Sequence, residues 1–287
     1  MQQIIVHGGS AHFDEFAACA LIMACFPHEK FLIDRRDPTG AEIADDNIWV
    51  VDVGRNYLPE HRKFDHHQYK GGDSAFVLVS KHLNVWEKLL IAYPQLDFKS
   101  RLDTEGPNIA ASSIGINVKA LMTTLSPIES VILDMFSSHT KVSFSMGGLI
   151  KRIGQMWIST AERLHIRLNL LAETANIVPL KEHGYCIIST ISEDPDFGMA
   201  EFRQQWQTRT GYTISCSITV EKRRNETDLL GTTLYRFADY PGIDFAKLEH
   251  KPGVKFAHKG GFLAVIEPGH DPMAFVREAF VSPVAVV

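Results

Sequence analysis

The first 26 residues constrain the fold most, because they read as a strand, a glycine-containing turn and a helix in that order. Residues 3–6 are a short apolar run that ends at Gly8-Gly9-Ser10, and residues 14–26 are apolar at helical spacing. A strand that leads through a tight turn into a helix opens an α/β domain. The sequence therefore predicts a parallel sheet covered by helices in the N-terminal part of the chain.

Further apolar runs extend this prediction and divide the chain. Residues 30–33 and 47–53 are predicted strands, and the second reads Asn-Ile-Trp-Val-Val-Asp-Val, whose continuous apolar character suits a parallel strand covered on both faces. Helical spacing returns over residues 146–177, and β-branched runs follow at 185–191 and 212–220. We therefore predict an α/β protein with an N-terminal parallel-sheet domain over residues 1–178, including the long connector helix, and a smaller mixed α/β domain over 179–287.

Composition excludes several classes of protein. Hydrophobic residues make up 45% of the 287 and charged residues 22%, which are ordinary globular values. The net charge of −5 argues against a broad surface that coats nucleic acid non-specifically. Four cysteines without a Cys-x-x-Cys pair give no thiolate zinc signature and fit a reducing compartment as buried free thiols. Without a signal-peptide pattern or an apolar stretch of about 18 residues, the expectation is a cytoplasmic protein with no membrane span.

Histidines and carboxylates cluster in three segments of the N-terminal part of the chain. His7-Gly8-Gly9-Ser10-Ala11-His12-Phe13-Asp14-Glu15 follows the first strand, Asp52 ends the run 47–53, and Asp65-His66-His67 comes about a dozen residues later. The carboxyl ends of parallel strands meet at one edge of a sheet, where ligands bind. Imidazole and carboxylate together suit Mn²⁺, Zn²⁺ or Fe²⁺, and two such ions can activate water and clamp a phosphoryl oxygen. The sequence predicts a metal site at this edge.

These motifs resemble the DHH phosphoesterase superfamily and, within it, the melanocyte-proliferating-gene family of metal-dependent hydrolases, which includes an RNA exonuclease. The motifs that carry the resemblance are His12-Phe13-Asp14-Glu15, Arg35-Arg36-Asp37-Pro38, Val51-Asp52-Val53-Gly54 and Phe64-Asp65-His66-His67-Gln68. Near the C-terminus, Phe256-Ala257-His258-Lys259-Gly260-Gly261-Phe262 is similar to the family's His-x-Ser-Gly-Phe segment, with Gly260 in place of the serine. The resemblance implies a DHH-type N-terminal domain, a second domain, and an active site in the cleft.

The resemblance also implies a set of ligands for two divalent ions, most readily Mn²⁺, with Mg²⁺ or Zn²⁺ as alternatives. The implied ligands are His7, His12, Asp14, Asp52, His66 and Asp103. Asp103 stands in Asp103-Thr104-Glu105-Gly106, where the family usually has Asp-Asn-Gly. As catalytic residues, His67 would face the substrate phosphate, and Asp65 would orient a histidine from behind the ligands.

Candidate substrate contacts are cations and glycines outside the ligand set. Arg36 suits bidentate contact with a phosphate, and the alternative is a structural pair with Asp34 or Asp37. The candidates from the second domain are His258, Lys259, Gly260 and Gly261. For the two glycines the alternative is a simple hairpin turn. The basic run Lys222-Arg223-Arg224 is either a solvated loop or a guide for a nucleic-acid backbone.

The predicted function is hydrolysis of a phosphoester by a hydroxide that two metals activate, as a phosphodiesterase or exonuclease on short RNA, short DNA or nucleotides. A small-phosphate hydrolase, such as a pyrophosphatase or cyclic-dinucleotide hydrolase, stays open, as does a non-catalytic binding protein that keeps the fold. The segment from His12 to Glu15 is also faintly similar to the His-Pro-Asp-Asp-Glu of one-zinc sugar N-deacetylases, which lack Asp-His-His. No membrane partner is expected, and the oligomeric state, with a homodimer among the options, is open.

Overall fold

The computed structural model describes residues 1–69, 71–124, 126–221 and 230–281. The basic run Lys222-Arg223-Arg224 lies outside the described residues. The chain divides into two compact units, Met1–Arg163 and Leu164–Val287. This division falls within the long helix that the sequence analysis takes as the connector, and the boundary after residue 178 stays a prediction.

A five-stranded sheet, in the order β2-β1-β3-β5-β4, forms the base of the first unit. Its strands are β1 (Gln2–Val6), β2 (Phe31–Arg35), β3 (Ile48–Val51), β4 (Tyr57–Leu58) and β5 (Lys63–Phe64). All neighbours are parallel except β4, which is antiparallel to β5 at the edge. Consecutive residues Ile4 and Ile5 are fully buried, so both faces of the central strand are covered.

The described residues up to Thr174 form nine α-helices. They are α1 (Phe13–Cys25), α2 (Gly40–Ala44), α3 (Ala75–His82), α4 (Trp86–Ala92), α5 (Gln95–Thr104), α6 (Pro107–Ser113), α7 (Val118–Thr124), α8 (Pro127–Ser137) and α9 (Phe144–Thr174). Helix α1 is buried all round from Asp14 to Met23, as expected of a central helix. Residues 109–122 have apolar residues at helical spacing, which predicts one helix. This prediction is wrong, because Gly115, with φ of 73°, follows the end of α6 in the left-handed conformation that terminates helices.

The second unit contains a six-stranded sheet in the order β10-β11-β9-β8-β7-β6. Its strands are β6 (Asn176–Pro179), β7 (Tyr185–Ile188), β8 (Ile214–Val220), β9 (Thr232–Arg236), β10 (Val254–Ala257) and β11 (Leu263–Ile266), with helices α10 (Met199–Thr210) and α11 (Pro272–Glu278). Only the β7–β8 pair is parallel among these described strands. The expected helix end at residue 177 is wrong, because α9 ends at Thr174 and Ile177 pairs with Ile187 in the sheet.

Two expectations from composition bear on the environment of the chain. All four cysteines are free thiols, and Cys19, Cys186 and Cys216 are buried, whereas Cys25 is half-buried. In the described ranges, no helix combines the length and the apolar character that crossing a membrane requires.

Helix α9 packs against α1 at a glycine with no room for a side chain. A Cβ atom added to Gly154 would lie 2.0 Å from the backbone oxygen of Ala20, which cannot retreat as a flexible side chain would. We therefore expect Gly154→Ala to lower the free energy of unfolding by about 1–3 kcal/mol, the usual cost of overpacking. Urea denaturation measures this, with Gly148→Ala in the same helix as the control, since its added Cβ meets nothing within 4 Å. Equal loss of stability in both variants would contradict the prediction.

Candidate metal centre

The carboxyl edge of the first sheet carries a cluster of histidines and carboxylates. His7 directly follows β1, Asp52 directly follows β3, and His66 lies just beyond β5. Because these three strands are parallel neighbours, their ends bring the three side chains together. His66 Nε2 lies 3.2 Å from Asp52 Oδ1, and His7 Nε2 lies 3.6 Å from Asp52 Oδ2. The Asp52 carboxylate therefore stands between the two histidines.

The backbone at Asp52 explains how its side chain reaches this position. The expected strand 47–53 is too long, since β3 ends at Val51 and Asp52 adopts a left-handed conformation with φ of 58°. Its N–H still donates to the backbone oxygen of Phe64, at 2.8 Å. A non-glycine residue in this region is uncommon and marks a constrained site.

Helices α1 and α5 add the remaining predicted ligands. His12 is the residue before α1, Asp14 lies in its first turn, and Asp103 lies in the last turn of α5. His66 Nε2 is 3.6 Å from Asp14 Oδ2 and 3.2 Å from Asp103 Oδ2. The ligand atoms fall into three groups, each within 4.8 Å: His7, His12 and Glu15; Asp52, His66 and His67; Asp14, His66 and Asp103. All six predicted ligands thus lie in adjoining groups.

Asp14 also begins a neighbouring helix. Its Oδ2 accepts the N–H of Ala75 at 2.8 Å and its Oδ1 accepts the N–H of Phe76 at 2.7 Å. These are the first two N–H groups of α3, which have no partner within the helix. The carboxylate is 2% exposed and therefore held rigidly beside His66.

Three buried atoms of the cluster indicate whether these residues suit a metal ion. Asp52 Oδ1, His66 Nε2 and Glu15 Oε2 make no hydrogen bond, although the first two are within hydrogen-bonding distance of each other. A buried polar atom without a partner costs about 1–3 kcal/mol. Nitrogen and oxygen lone pairs that converge without hydrogen bonds are what a borderline divalent cation accepts. The donor set therefore fits the ions that the resemblance implies.

Burial and crowding shift the pKa values of the cluster upward. Burial raises the pKa of Asp14 well above its ordinary value, and the charges of Asp52 and Asp103 raise it further. Burial also raises the pKa of Asp52. Burial alone would lower the pKa of His66, but Asp103 and Asp52 raise it to about 10. The hydrogen bond to Glu15 raises the pKa of His7 to about 9. These carboxylates therefore require positive charge close by, which protons or divalent cations supply.

The buried Asp65 carboxylate fixes the ring of His67. Its Oδ1 lies 2.7 Å from His67 Nδ1, and its two oxygens accept the backbone N–H groups of His67 and Arg55. Burial alone would raise the pKa of Asp65, but these N–H donors lower it below its ordinary value. The contact directs Nε2 of the half-exposed His67 away from Asp65.

Glu15 and Arg35, for which the sequence predicts no separate role, form a buried ion pair behind the cluster. Glu15 Oε1 lies 3.2 Å from Arg35 Nη2 and 3.1 Å from His7 Nε2, and it accepts the N–H of His12 at 2.8 Å. Arg35 Nη1 donates to the backbone oxygen of Gly9 at 3.0 Å. The pair therefore holds the loop between β1 and α1 at both ends. A signal was present, because a glutamate in an otherwise apolar, buried helix needs a cation.

The predicted phosphate contact Arg36 already has a carboxylate partner. Its Nη1 and Nη2 donate to the two oxygens of Glu42, at 2.9 and 2.6 Å. Asp34, one of the partners expected in the alternative, lies further away at 3.7 Å, and Asp37 contributes only a backbone oxygen. Both terminal nitrogens of the guanidinium thus already donate to a carboxylate, and contact with a phosphate stays a prediction.

In the second unit, the predicted substrate loop joins β10 to β11. The N–H of His258 donates to Leu263 O and that of Gly261 to His258 O, both at 2.8 Å. Gly261 has φ of 69°, and the Gly260 N–H donates to His258 Nδ1 at 2.9 Å. Gly260 and Gly261 therefore form a hairpin turn. A substrate contact by this loop, which includes His258 and the exposed Lys259, stays a prediction.

Comparisons with known proteins concern mainly the segment that carries this cluster. Residues 3–76 match the model MYG1_exonuc, described as uncharacterised protein family UPF0160. The MYG1 protein of Chlamydia trachomatis serovar D is 41% identical over 81 residues, which are 27% of each protein. MYG1 exonuclease of Rattus norvegicus is 40% identical over 67 residues, 23% of this chain and 17% of the relative. The matched region thus spans less than a third of either relative.

A solved structure is similar over a longer range. The pGpG-specific phosphodiesterase PggH from Vibrio aligns over 92% of each chain, at 12% identity and a TM-score of 0.27. At this TM-score the likeness supports no statement about fold or function.

Proposed function

We propose that this chain, whose residues 3–76 match the UPF0160 family model, is a metal-dependent phosphoester hydrolase that acts as a phosphodiesterase or exonuclease. The observation that carries the proposal is the Asp52 carboxylate between His66 and His7, with buried lone pairs that lack hydrogen bonds. Relatives named as exonucleases support a phosphodiester as the bond that is cleaved.

The proposed ligands divide between two neighbouring ions. Asp14, His66 and Asp103 would hold one ion, His7 and His12 would hold the other, and Asp52 would contribute to both. Two divalent ions in such a site lower the pKa of water and neutralise charge on the phosphoryl oxygens. Mn²⁺ is the proposed ion, because it accepts both imidazole and carboxylate.

His67 and Asp65 carry the proposed proton chemistry of the chain itself. Asp65 accepts from Nδ1 of His67 at 2.7 Å, which orients the ring so that Nε2 is the nitrogen left to meet a substrate. An imidazolium, which carries protons on both ring nitrogens, would donate its Nε2 proton to a non-bridging or leaving oxygen of the phosphoester and become neutral, which is general-acid catalysis. The proposed substrate is a short nucleic acid or a nucleotide.

A hydrolysis panel tests the proposed function. We expect the purified chain with Mn²⁺ to hydrolyse at least one phosphodiester among short RNA, short DNA, a cyclic dinucleotide and bis-p-nitrophenyl phosphate, and to lose this activity in EDTA. His67→Ala should lower kcat by about 10²–10⁴-fold, the usual contribution of a general acid. His250→Ala is the matched control, since His250 is exposed in the second unit. Activity on pyrophosphate alone would favour a small-phosphate hydrolase, and absence of both Mn²⁺ binding and hydrolysis would reject the proposal.

A further inference from the structure

One arginine beside the cluster, Arg55, has no partner of opposite charge among the described residues. Arg55 lines a cavity of about 560 Å³ that His7, His12, Asp52 and His67 also line. Within the described part of the chain, no salt bridge or hydrogen bond involves its guanidinium, and the residue is exposed. An arginine fork has five N–H donors, and a phosphate accepts two of them in parallel. Arg55 is therefore a cation that is free to bind an anion at the metal cluster.

The backbone holds Arg55 in place at some cost. Its φ of 55° lies in the left-handed region, which is unfavourable for a residue with a Cβ atom. Its N–H donates to Asp65 Oδ2 at 2.6 Å, and Asp65 is the same carboxylate that orients His67. One buried side chain therefore positions both the free cation and the proposed general acid.

Arg36, the other arginine near the cluster, differs from Arg55 because it already has a carboxylate partner. The Arg36 fork is occupied by Glu42, so a phosphate would have to displace a bidentate carboxylate to reach it. At Arg55 no such exchange is needed. Binding of an anion to Arg55 therefore has only the cost of releasing water and fixing the side chain.

The rest of the cavity shows what an anion at Arg55 would carry. Its lining includes Pro38, Ile43 and Val53, which give it an apolar part. Gly54 lies against two of these apolar side chains, because a Cβ added there would be 3.4 Å from Pro38 Cγ and 3.8 Å from Ile43 Cδ1. A pyrophosphate would use only the cation, whereas a nucleotide has both a phosphate and a base or sugar with apolar faces.

We infer that Arg55 binds a phosphate of a nucleotide substrate and that the apolar lining of Pro38, Ile43 and Val53 packs against the base or sugar of the same nucleotide. This inference rests on the proposed function and selects a nucleotide over an inorganic phosphate as the substrate class. It makes Arg55 and Ile43 determinants of substrate binding, distinct from the ligands that hold metal.

Inhibition constants for AMP and inorganic phosphate test the two parts separately, with the Mn²⁺-loaded chain and the dinucleotide pApA as substrate. Arg55→Ala should raise the KM for pApA and the inhibition constants of both anions about tenfold or more, which corresponds to about 1.4 kcal/mol. Arg55→Lys should lie between, because lysine has charge but no fork. Ile43→Ala should raise the inhibition constant of AMP but leave that of inorganic phosphate unchanged. Arg152→Ala, on the exposed side of α9, should match wild type.

Several outcomes would overturn the inference. Wild-type constants for Arg55→Ala would do so, and so would loss of Mn²⁺ affinity in calorimetry for both Arg55→Ala and Arg55→Gly, since the glycine suits the backbone conformation. An equal rise in the inhibition constants of AMP and phosphate in Ile43→Ala would reject the proposal that the apolar lining contacts a nucleotide. If the wild-type chain hydrolyses nothing, the proposed function fails, but calorimetric binding of AMP that depends on Arg55 still decides the inference on its own.

Discussion

Replacement of Asp52 by asparagine is expected to lower kcat/KM for phosphodiester hydrolysis by roughly a thousandfold, more than Asp103→Asn does. The two oxygens of Asp52 face His66 at 3.2 Å and His7 at 3.6 Å, so its charge serves both proposed ions. Asp103 is close to His66 alone among these histidines, at 3.2 Å. Asparagine keeps the shape of the side chain and removes its charge, which isolates the electrostatic contribution.

Kinetics at saturating Mn²⁺, together with the number of Mn²⁺ ions bound per chain, measure this difference. We expect Asp52→Asn to lose both ions and Asp103→Asn to retain one. Asp97→Asn is the matched control, because Asp97 is an exposed residue of the same helix as Asp103. Wild-type activity of Asp52→Asn would reject the shared ligand.

Removal of the Glu15 carboxylate is expected to have the largest effect on stability. Glu15→Ala leaves the Arg35 guanidinium buried, with an exposed fraction of 2%, and without its carboxylate partner at 3.2 Å. An uncompensated buried charge lowers the free energy of unfolding by about 3–5 kcal/mol. Because both charges are then absent, the double variant Glu15→Met with Arg35→Met should lose less stability than Glu15→Ala alone.

Urea denaturation in EDTA measures the effect without a contribution from metal binding. Glu29→Ala, which removes an exposed glutamate shortly after α1, is the control and should change stability by less than about 0.5 kcal/mol. A double variant that is less stable than Glu15→Ala would show that the pair does not act through its charges.

Sequence was sufficient for the part of the site that depends on parallel strands. An apolar run that ends in a polar residue identifies both a strand and its carboxyl end, so His7 and Asp52 follow from pattern alone. His66 does not, because β5, the strand before it, is only two residues long and was not predicted. The structure brings them together because β1, β3 and β5 are neighbours. Asp103 was predicted through the family resemblance, since nothing in the spacing of α5 indicates which face meets the cluster.

Cation partners could not be predicted, because they depend on loop geometry. Arg36 and Arg55 both follow apolar strands, and only the conformation of the α2 segment places Glu42 beside the first of them. Helix α10 was missed because Met199 and Phe202 are its only buried residues, too few for a clear apolar period. The division between α6 and α7 depends on one positive φ at Gly115, which a pattern of apolar residues does not reveal.

The double use of Asp14 restricts how this centre can change during evolution. Its two oxygens hold the first N–H groups of α3 while it faces His66, so a histidine or a longer acid at this position would release the start of that helix. His12 is the N-cap of α1, a position that a carboxylate also fills well, and it is exposed, with its ring centroid 5.2 Å from that of His7. Two ligands only two residues apart therefore tolerate change very differently. Position 12 is open to exchange between imidazole and carboxylate, whereas position 14 is bound to aspartate by the fold itself.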